Sequence, residues 1–268
     1  MAEISTERPP PAPRNERGVS PSLLRALLAI TVLGVWWIAA RGLPPYILPG
    51  PEVVAQAILK LAKTQTFLND MGATLGRVVA GFAFALVIGT PLGLLFGSNQ
   101  SVGAFFEPIL PVLNTVSSAI WAIFAMLWFG LSNAATIFVV FMTAMPLIIT
   151  NVWTGTRNVD PNLVEVALSL RFGRLRTFAS IYLPSILPYL FSGARLAFGF
   201  GWRVSLVAET LGASSGVGYR LRQAADLFQA DQVFAWTIIM VAMMIALEAG
   251  LLRPLERRLF RWQKARSV

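Results

Sequence analysis

Glu165-Val166-Ala167-Leu168-Ser169-Leu170-Arg171-Phe172-Gly173-Arg174, running on to Ile181-Tyr182-Leu183-Pro184, lies between two strongly apolar segments, residues 134–153 and 188–208. The stretch reads as helical, and it carries Glu165, Arg171, Arg174 and Arg176 in a chain where charge is scarce. Of the 268 residues, 56% are hydrophobic and only 13% are charged, against about 25% charge in a soluble domain. So few charges cannot cover a water-facing surface. The chain therefore reads as an integral membrane protein, all α-helical, and the charged stretch as a soluble loop that offers a docking surface.

Outward from this loop the apolar pattern resolves into six expected spans: 23–40, 78–96, 106–129, 134–153, 188–208 and 233–252. The first is too long, and too poorly followed by small residues, for a cleaved signal peptide. The second is rich in small residues (Gly81, Ala83, Ala85, Gly89, Gly93), which let helices approach closely in lipid. Pro108, Pro111 and Pro146 are candidate kinks in the third and fourth spans. Residues 52–67 place Val54, Ile58 and Leu61 at helical spacing between lysines, a pattern for a helix at the membrane surface. Residues 1–21 are proline-rich and polar and read as a disordered cytoplasmic tail. Residues 22–262 make up the membrane domain, its loop spans about 158–186, and 263–268 form a second tail.

Six spans put both termini on one side. Arg8, Arg14 and Arg17, then Arg157, Arg171, Arg174 and Arg176, then the basic run from Arg253 to Arg266 share that side, outnumbering Arg41, Lys60, Lys63, Arg77, Arg220 and Arg222 opposite. Basic residues concentrate on the cytoplasmic side, so the termini and the loop are expected there. The net charge of +9 is thus read by position and against lipid, with no nucleic acid as partner. The chain has no cysteine and no histidine. That excludes disulfides, thiolate metal sites and the usual neutral-pH acid–base group, and no metal or catalytic residue is expected. No G-x-x-x-x-G-K-[ST] is present to cradle ATP phosphates, and Gly216-Val217-Gly218 reads as a turn.

The loop resembles the "EAA" loop of binding-protein-dependent ABC importer permeases, whose spacing is E-A-A-x3-G-x9-I-x-L-P. Glu165, Ala167, Ile181 and Leu183-Pro184 fall in register; Val166 replaces the first alanine, and Arg171 stands where the family has glycine, with Gly173 two residues later. The resemblance extends over roughly 48–262 and is similar to the nitrate/sulfonate/taurine branch. It is carried by Leu48-Pro49-Gly50-Pro51, Thr74-Leu75-Gly76-Arg77-Val78, Leu127-Trp128-Phe129-Gly130, Ala194-Arg195-Leu196-Ala197, Ala208-Glu209 and Leu255-Glu256-Arg257-Arg258. Prolines that the family has near Ser117 and Ala122 are missing. The resemblance implies a type I ABC importer permease fold in the bacterial inner membrane. It implies a homodimer, two ABC ATPase subunits below and a periplasmic or lipid-anchored substrate-binding protein above. ATP and Mg would be bound on the partner ATPase, and no cofactor by this chain. The cargo would be a small anion such as a sulfonate, taurine or nitrate, moved by alternating access.

The same resemblance makes Glu165, Ala167, Leu168, Arg171, Phe172, Gly173 and Arg174 the ATPase-coupling residues. Val164, Ala167, Leu168 and Phe172 would fill a groove on the ATPase, with Arg171 and Arg174 at its rim. Charges within spans are costly and face a partner or water. Arg195 and Glu209 lie too far apart on one helix to pair. Arg203 either meets an anionic solute or bonds a neighbouring backbone carbonyl or carboxylate, or the dimer partner. Arg203, Glu209, Trp128 and Trp202 are the pathway candidates, aromatics being commonly packing or interface residues. A secondary transporter driven by an ion gradient would show inverted repeats or broken helices with intramembrane carboxylates; the sequence shows no repeat, and the charged loop would lack a purpose. A membrane-embedded enzyme would show polar residues clustered at one depth.

Overall fold

The computed structural model describes residues 21–259; of the tails expected over 1–21 and 263–268 only Pro21 is described, as the first residue of a helix, and the remainder lies outside the described residues. Among the described residues every regular element is helical. The first is α1 (Pro21–Arg41), followed by the short α2 (Pro51–Ala62) and the long α3 (Gln65–Ser98). Thr64 separates the last two, so the surface helix ends before Phe67. It is tied inward as well: Val54 and Ala57 are buried against Ala235 and Trp36. The Trp36 indole also donates to the Pro49 carbonyl at 3.1 Å. Apart from this contact α1 is nearly free of the rest of the chain, and its apolar side chains are exposed.

The expected third span is not one helix. It comprises α4 (Gln100–Phe106), α5 (Ile109–Thr115) and α6 (Ser118–Phe129), and the 100–115 segment meets α6 at 91°. The sharp bend falls at Val116-Ser117, where the family prolines are missing, rather than at Pro108 or Pro111. Polar side chains make the break instead. Asn114 Nδ2 and Thr115 Oγ1 turn back onto the carbonyls of Leu110 and Pro111, and Ser117 Oγ accepts from the Ala119 N–H to start α6. Side-chain bonds of this kind compete with the helical ladder and favour its ends.

The rest follows as α7 (Asn133–Arg157), α8 (Pro161–Ser169), α9 (Arg174–Thr177), α10 (Leu183–Gly212), α11 (Val217–Asp226), α12 (Ala230–Leu247) and α13 (Arg253–Leu259). Single π-helical turns at 178–182 and 248–252 run into α10 and out of α12. Four helical stretches are long and apolar enough to cross a membrane: 22–41, 65–98, 133–157 and 230–256; the bent pair makes a fifth. The expected fifth span, α10, is 30 residues long but carries Arg195, Arg203 and Glu209, and it does not qualify on composition alone.

Helix α7 is the centre, sandwiched between α3 and α10. The small residues of α3 make this possible. Gly81, Ala85, Gly89, Gly93 and Gly97 recur every four residues and face Val140, Ile148, Val152 and Thr156 of α7. A Cβ on Gly93 would lie 2.7 Å from the Val152 Cβ, and one on Gly81 2.7 Å from the Ile137 carbonyl. Gly155 meets Tyr189 and Gly193 meets Asn151 in the same way across α7 and α10. Lipid offers no hydrophobic drive for helix association, so this close backbone approach supplies the packing energy. Two glycines of α3 test it. Gly93→Ala should destabilise by about 1–3 kcal/mol through overpacking. Gly76→Ala, with nothing within 4 Å of its Cβ, should be neutral or stabilising by up to about 1 kcal/mol. Thermal unfolding of both variants in one detergent gives the comparison, and equal melting temperatures would refute the packing role of Gly93.

Candidate functional site

The charged loop folds as a compact hairpin. Asp160 opens it: its Oδ1 accepts the Asn162 N–H at 2.9 Å, and Pro161 occupies the first helical position, where its missing N–H costs nothing. Helix α8 ends in the left-handed turn that the family glycine would make. Arg171 adopts φ 55°, and the Phe172 N–H closes back on the Ala167 carbonyl at 2.9 Å. This is a Schellman closure with Arg171 in the position that favours glycine. The departure from the family pattern therefore preserves the turn, at the steric cost of a Cβ in left-handed backbone. Arg176 lies over the Phe172 ring, 4.2 Å from its centroid, and holds the turn against α9.

The hairpin's inward side is fastened to the long helices. Ala167 is buried, Val164 and Phe172 are half-buried, and Val164, Ile181 and Tyr182 pack on the core around Ala144, Ile148, Val152 and Ile186. A cavity of about 360 Å³ remains beneath the hairpin, lined by Val164, Phe172, Phe178 and Tyr182 and by Leu94 and Thr156 of α3 and α7. Val164 packs on that core and, with Phe172, lines the cavity, while Ala167 is buried. The apolar side chains that face outward are Leu163, Val166, Leu170 and Leu175. The first three fall at helical spacing on one face of α8, a pattern visible in the sequence but masked there by the uniformly apolar composition. Glu165, Arg171 and Gly173 are exposed; the side chains of Leu168 and Arg174 lie outside the described residues.

At the opposite end of the long helices Glu209 is fully buried and saturated by protein. Its Oε1 takes Arg77 Nη1 at 2.7 Å, and its Oε2 takes Thr74 Oγ1 and the Gly218 N–H, each at 2.9 Å. Arg77 also reaches Asn133 Oδ1, the Ser215 carbonyl and Ser215 Oγ. Asp70 and Thr74 accept the Gly216 and Val217 N–H groups, and Arg220 closes on Asp70 at 2.6 Å. Gly216, at φ +105°, makes the tight entry to α11; a Cβ there would lie 2.7 Å from both Arg77 and Glu209. The free N–H groups at the start of α11 are thus capped by side chains of α3 and α10, where a carboxylate is favoured by the helix dipole. In the sequence Arg77 enters only the charge balance and the Thr74–Val78 stretch of the family resemblance, and Asp70 carries no signal of its own. The two charges lie seven residues apart beside an apolar span, and their role is intelligible only once the glycine turn lies against them.

The pathway candidates separate accordingly. Glu209 has no oxygen to offer a solute, and Trp202 is buried in the core with Val78, Phe198 and Trp236. Trp128 is exposed and stacks on Phe124 at 5.6 Å. Arg203 is exposed, its Nε turned onto the Gly199 carbonyl at 3.2 Å. Arg195 and Glu209 do not meet. Arg195 instead bridges Glu248 and Glu256 at 2.6 and 2.9 Å, across the π-turn that follows α12.

Two substitutions test these arrangements. Arg171→Gly should raise stability by about 1 kcal/mol, as it relieves the left-handed strain. Arg77→Met should lower it by about 3–5 kcal/mol by leaving Glu209 buried without its cation. Melting temperatures in detergent give both signs, and a destabilised Arg171→Gly or an unchanged Arg77→Met would contradict the geometry.

The comparisons with known proteins agree with this architecture. A family model described as a binding-protein-dependent transport system inner membrane component matches residues 89–261. The taurine transport system permease protein TauC of Escherichia coli (strain K12) is 27% identical over 238 residues, 86% of each chain. The putative aliphatic sulfonates transport permease protein SsuC of the same strain is 32% identical over 240 residues, 89% of this chain and 91% of the relative. Among solved structures, the inward-facing MetNI methionine ABC transporter has a chain that superposes with a TM-score of 0.64 at 18% identity, covering 72% of this chain and 96% of that one. That likeness concerns the fold alone. The chain, whose described residues form close-packed apolar helices, belongs to the binding-protein-dependent transport system inner membrane component family, the permease subunits of ABC transporters, in which a separate subunit hydrolyses ATP.

Proposed function

We propose that this permease imports a small organic or inorganic anion, a sulfonate, taurine, nitrate or related acid, and that the 158–186 hairpin couples it to an ABC ATPase. The relatives named for taurine and aliphatic sulfonates support the cargo class. Two copies of the chain would form the pathway, α10 crossing the membrane in each despite its charges. Two ATPase subunits would hold ATP and Mg on the cytoplasmic side, and a periplasmic or lipid-anchored binding protein would deliver the cargo. The excess of arginine at the hairpin end supports a cytoplasmic orientation for that end and for both termini.

The observation that carries the coupling role is the two-sidedness of the hairpin. Its outer side presents Leu163, Val166, Leu170 and Leu175 to water, with Leu175 87% exposed. Apolar side chains in that setting suit a groove on a partner. Its inner side meets the long helices through Val164, Ile181 and Tyr182, which pack on the core around Ala144, Ile148, Val152 and Ile186. A rigid element held in this way transmits a push from the closing ATPase pair into the long helices, whereas a loose loop would absorb it. Alternating access then follows from ATP binding, which turns the pathway outward, and hydrolysis, which returns it inward.

The test is co-purification of the full-length chain with its ABC ATPase. Val166→Asp and Glu165→Ala alter exposed positions, so they should insert and melt normally. Val166→Asp should cut ATPase recovery by about tenfold or more, the scale of one interface anchor. Ala167→Asp should fail differently, by unfolding the hairpin. Undiminished ATPase recovery with Val166→Asp would overturn the assignment of this face.

A further inference from the structure

Arg203 lies within the 30-residue α10 and is exposed. It forms no ion pair among the described residues, and its polar contact is with the Gly199 carbonyl of its own helix. Gly199 lies roughly 24 Å from the start of α10 and roughly 20 Å from its end, at 1.5 Å per residue. The guanidinium therefore sits near mid-membrane, turned away from the nearer helix end and from any headgroup there. A charge at that depth is costly unless it meets a partner or water.

The surroundings are chemically selective. Gly199, Trp202 and Leu206 of α10 face Met240, Val241 and Met244 of α12 across a groove of about 240 Å³, with Arg203 and Thr237 at its edge. That is smaller than the roughly 300–1,000 Å³ of drug-sized ligand sites. Trp202, which lines the groove, has a buried indole N–H with no acceptor among the described residues. Within the chain, Asp70, Glu209, Asp226, Glu248 and Glu256 are already paired with other arginines.

We infer that this groove is a membrane-depth binding site for a small anion with an apolar body, Arg203 taking the anionic group and the α10–α12 groove the alkyl part. The inference rests on the importer reading for its purpose, and it adds to that reading a place in this chain where cargo is held. A compact anion without an apolar body would use only half of the site.

Equilibrium binding of radiolabelled butanesulfonate to the full-length protein in nanodiscs tests it, in phosphatidylcholine alone and with added phosphatidylglycerol. Wild type should bind saturably in both. Arg203→Gln should bind about tenfold more weakly, the scale of losing a charge-assisted partner. Arg203→Lys should retain most of the affinity, and nitrate should compete poorly. Binding by Arg203→Gln equal to wild type, no binding by wild type, or butanesulfonate displaced by phosphatidylglycerol would each overturn the site. ATPase co-purification, which Arg203→Gln should leave unchanged, reports separately on the importer reading. Anion binding without ATPase recovery sinks that reading and leaves the site; ATPase recovery with Arg203→Gln unaffected in binding sinks the site and leaves the reading.

Discussion

Glu209 is a carboxylate with no exposed surface, and the far end of the molecule is assembled around it. Removing a carboxylate from water carries a large desolvation cost, recovered only when its oxygens are filled with well-placed donors. Arg77, Thr74 and the Gly218 N–H fill them. To do so α3, α10 and the glycine turn before α11 must lie within hydrogen-bonding distance of one point. Asp70 and Arg220 repeat the arrangement one turn away, and Asn133 brings in the start of α7. The network thus sets the relative height and rotation of the three long helices, a task that lipid-facing apolar surface cannot perform because it has no preferred register.

Below that point the helices are held by shape. The four-residue spacing of glycine and alanine on α3 brings its backbone against α7, and the glycines of α7 and α10 do the same on the other side. The two devices are complementary. Close packing gives attraction along the helices, and the buried ion pair gives position. The hairpin at the near end packs on the same three helices through Val164, Ile181 and Tyr182. The two π-turns stand at the ends of α10 and α12, where an added residue per turn re-aims the chain leaving the bundle.

The polar groups within the bundle are sorted by whether the fold satisfies them. Glu209 and Arg77 are satisfied and lock the structure. Arg195 is satisfied by Glu248 and Glu256 and ties the chain after α12 to α10. Asn114, Thr115 and Ser117 spend their hydrogen bonds on breaking the third apolar segment. Arg203 remains at mid-depth, next to an apolar groove, with only its own helix to bond.

Much of this was legible in the residues themselves. Scarce charge and long apolar runs dictate a helical membrane protein, because backbone groups in lipid must be satisfied within each segment. The register of Glu165, Ala167, Ile181 and Leu183-Pro184 carries the family, and the small residues of 81–93 carry close helix packing. Local signals are sufficient there because helix formation, turn geometry and hydropathy depend on neighbours along the chain. Contacts between distant residues are not of this kind. Arg77 meets Glu209 across 132 positions and Gly216 meets Asp70 across 146. Which face of α8 turns outward depends on where Ala144 and Ile186 come to lie. The bend at Val116-Ser117 depends on side chains whose alternative, a straight helix, is equally compatible with their hydropathy. Composition and spacing determined the class of protein and the place of its loop. Only the tertiary structure decided which charges lock the bundle, because a charge acquires its role from the partner that packing brings to it.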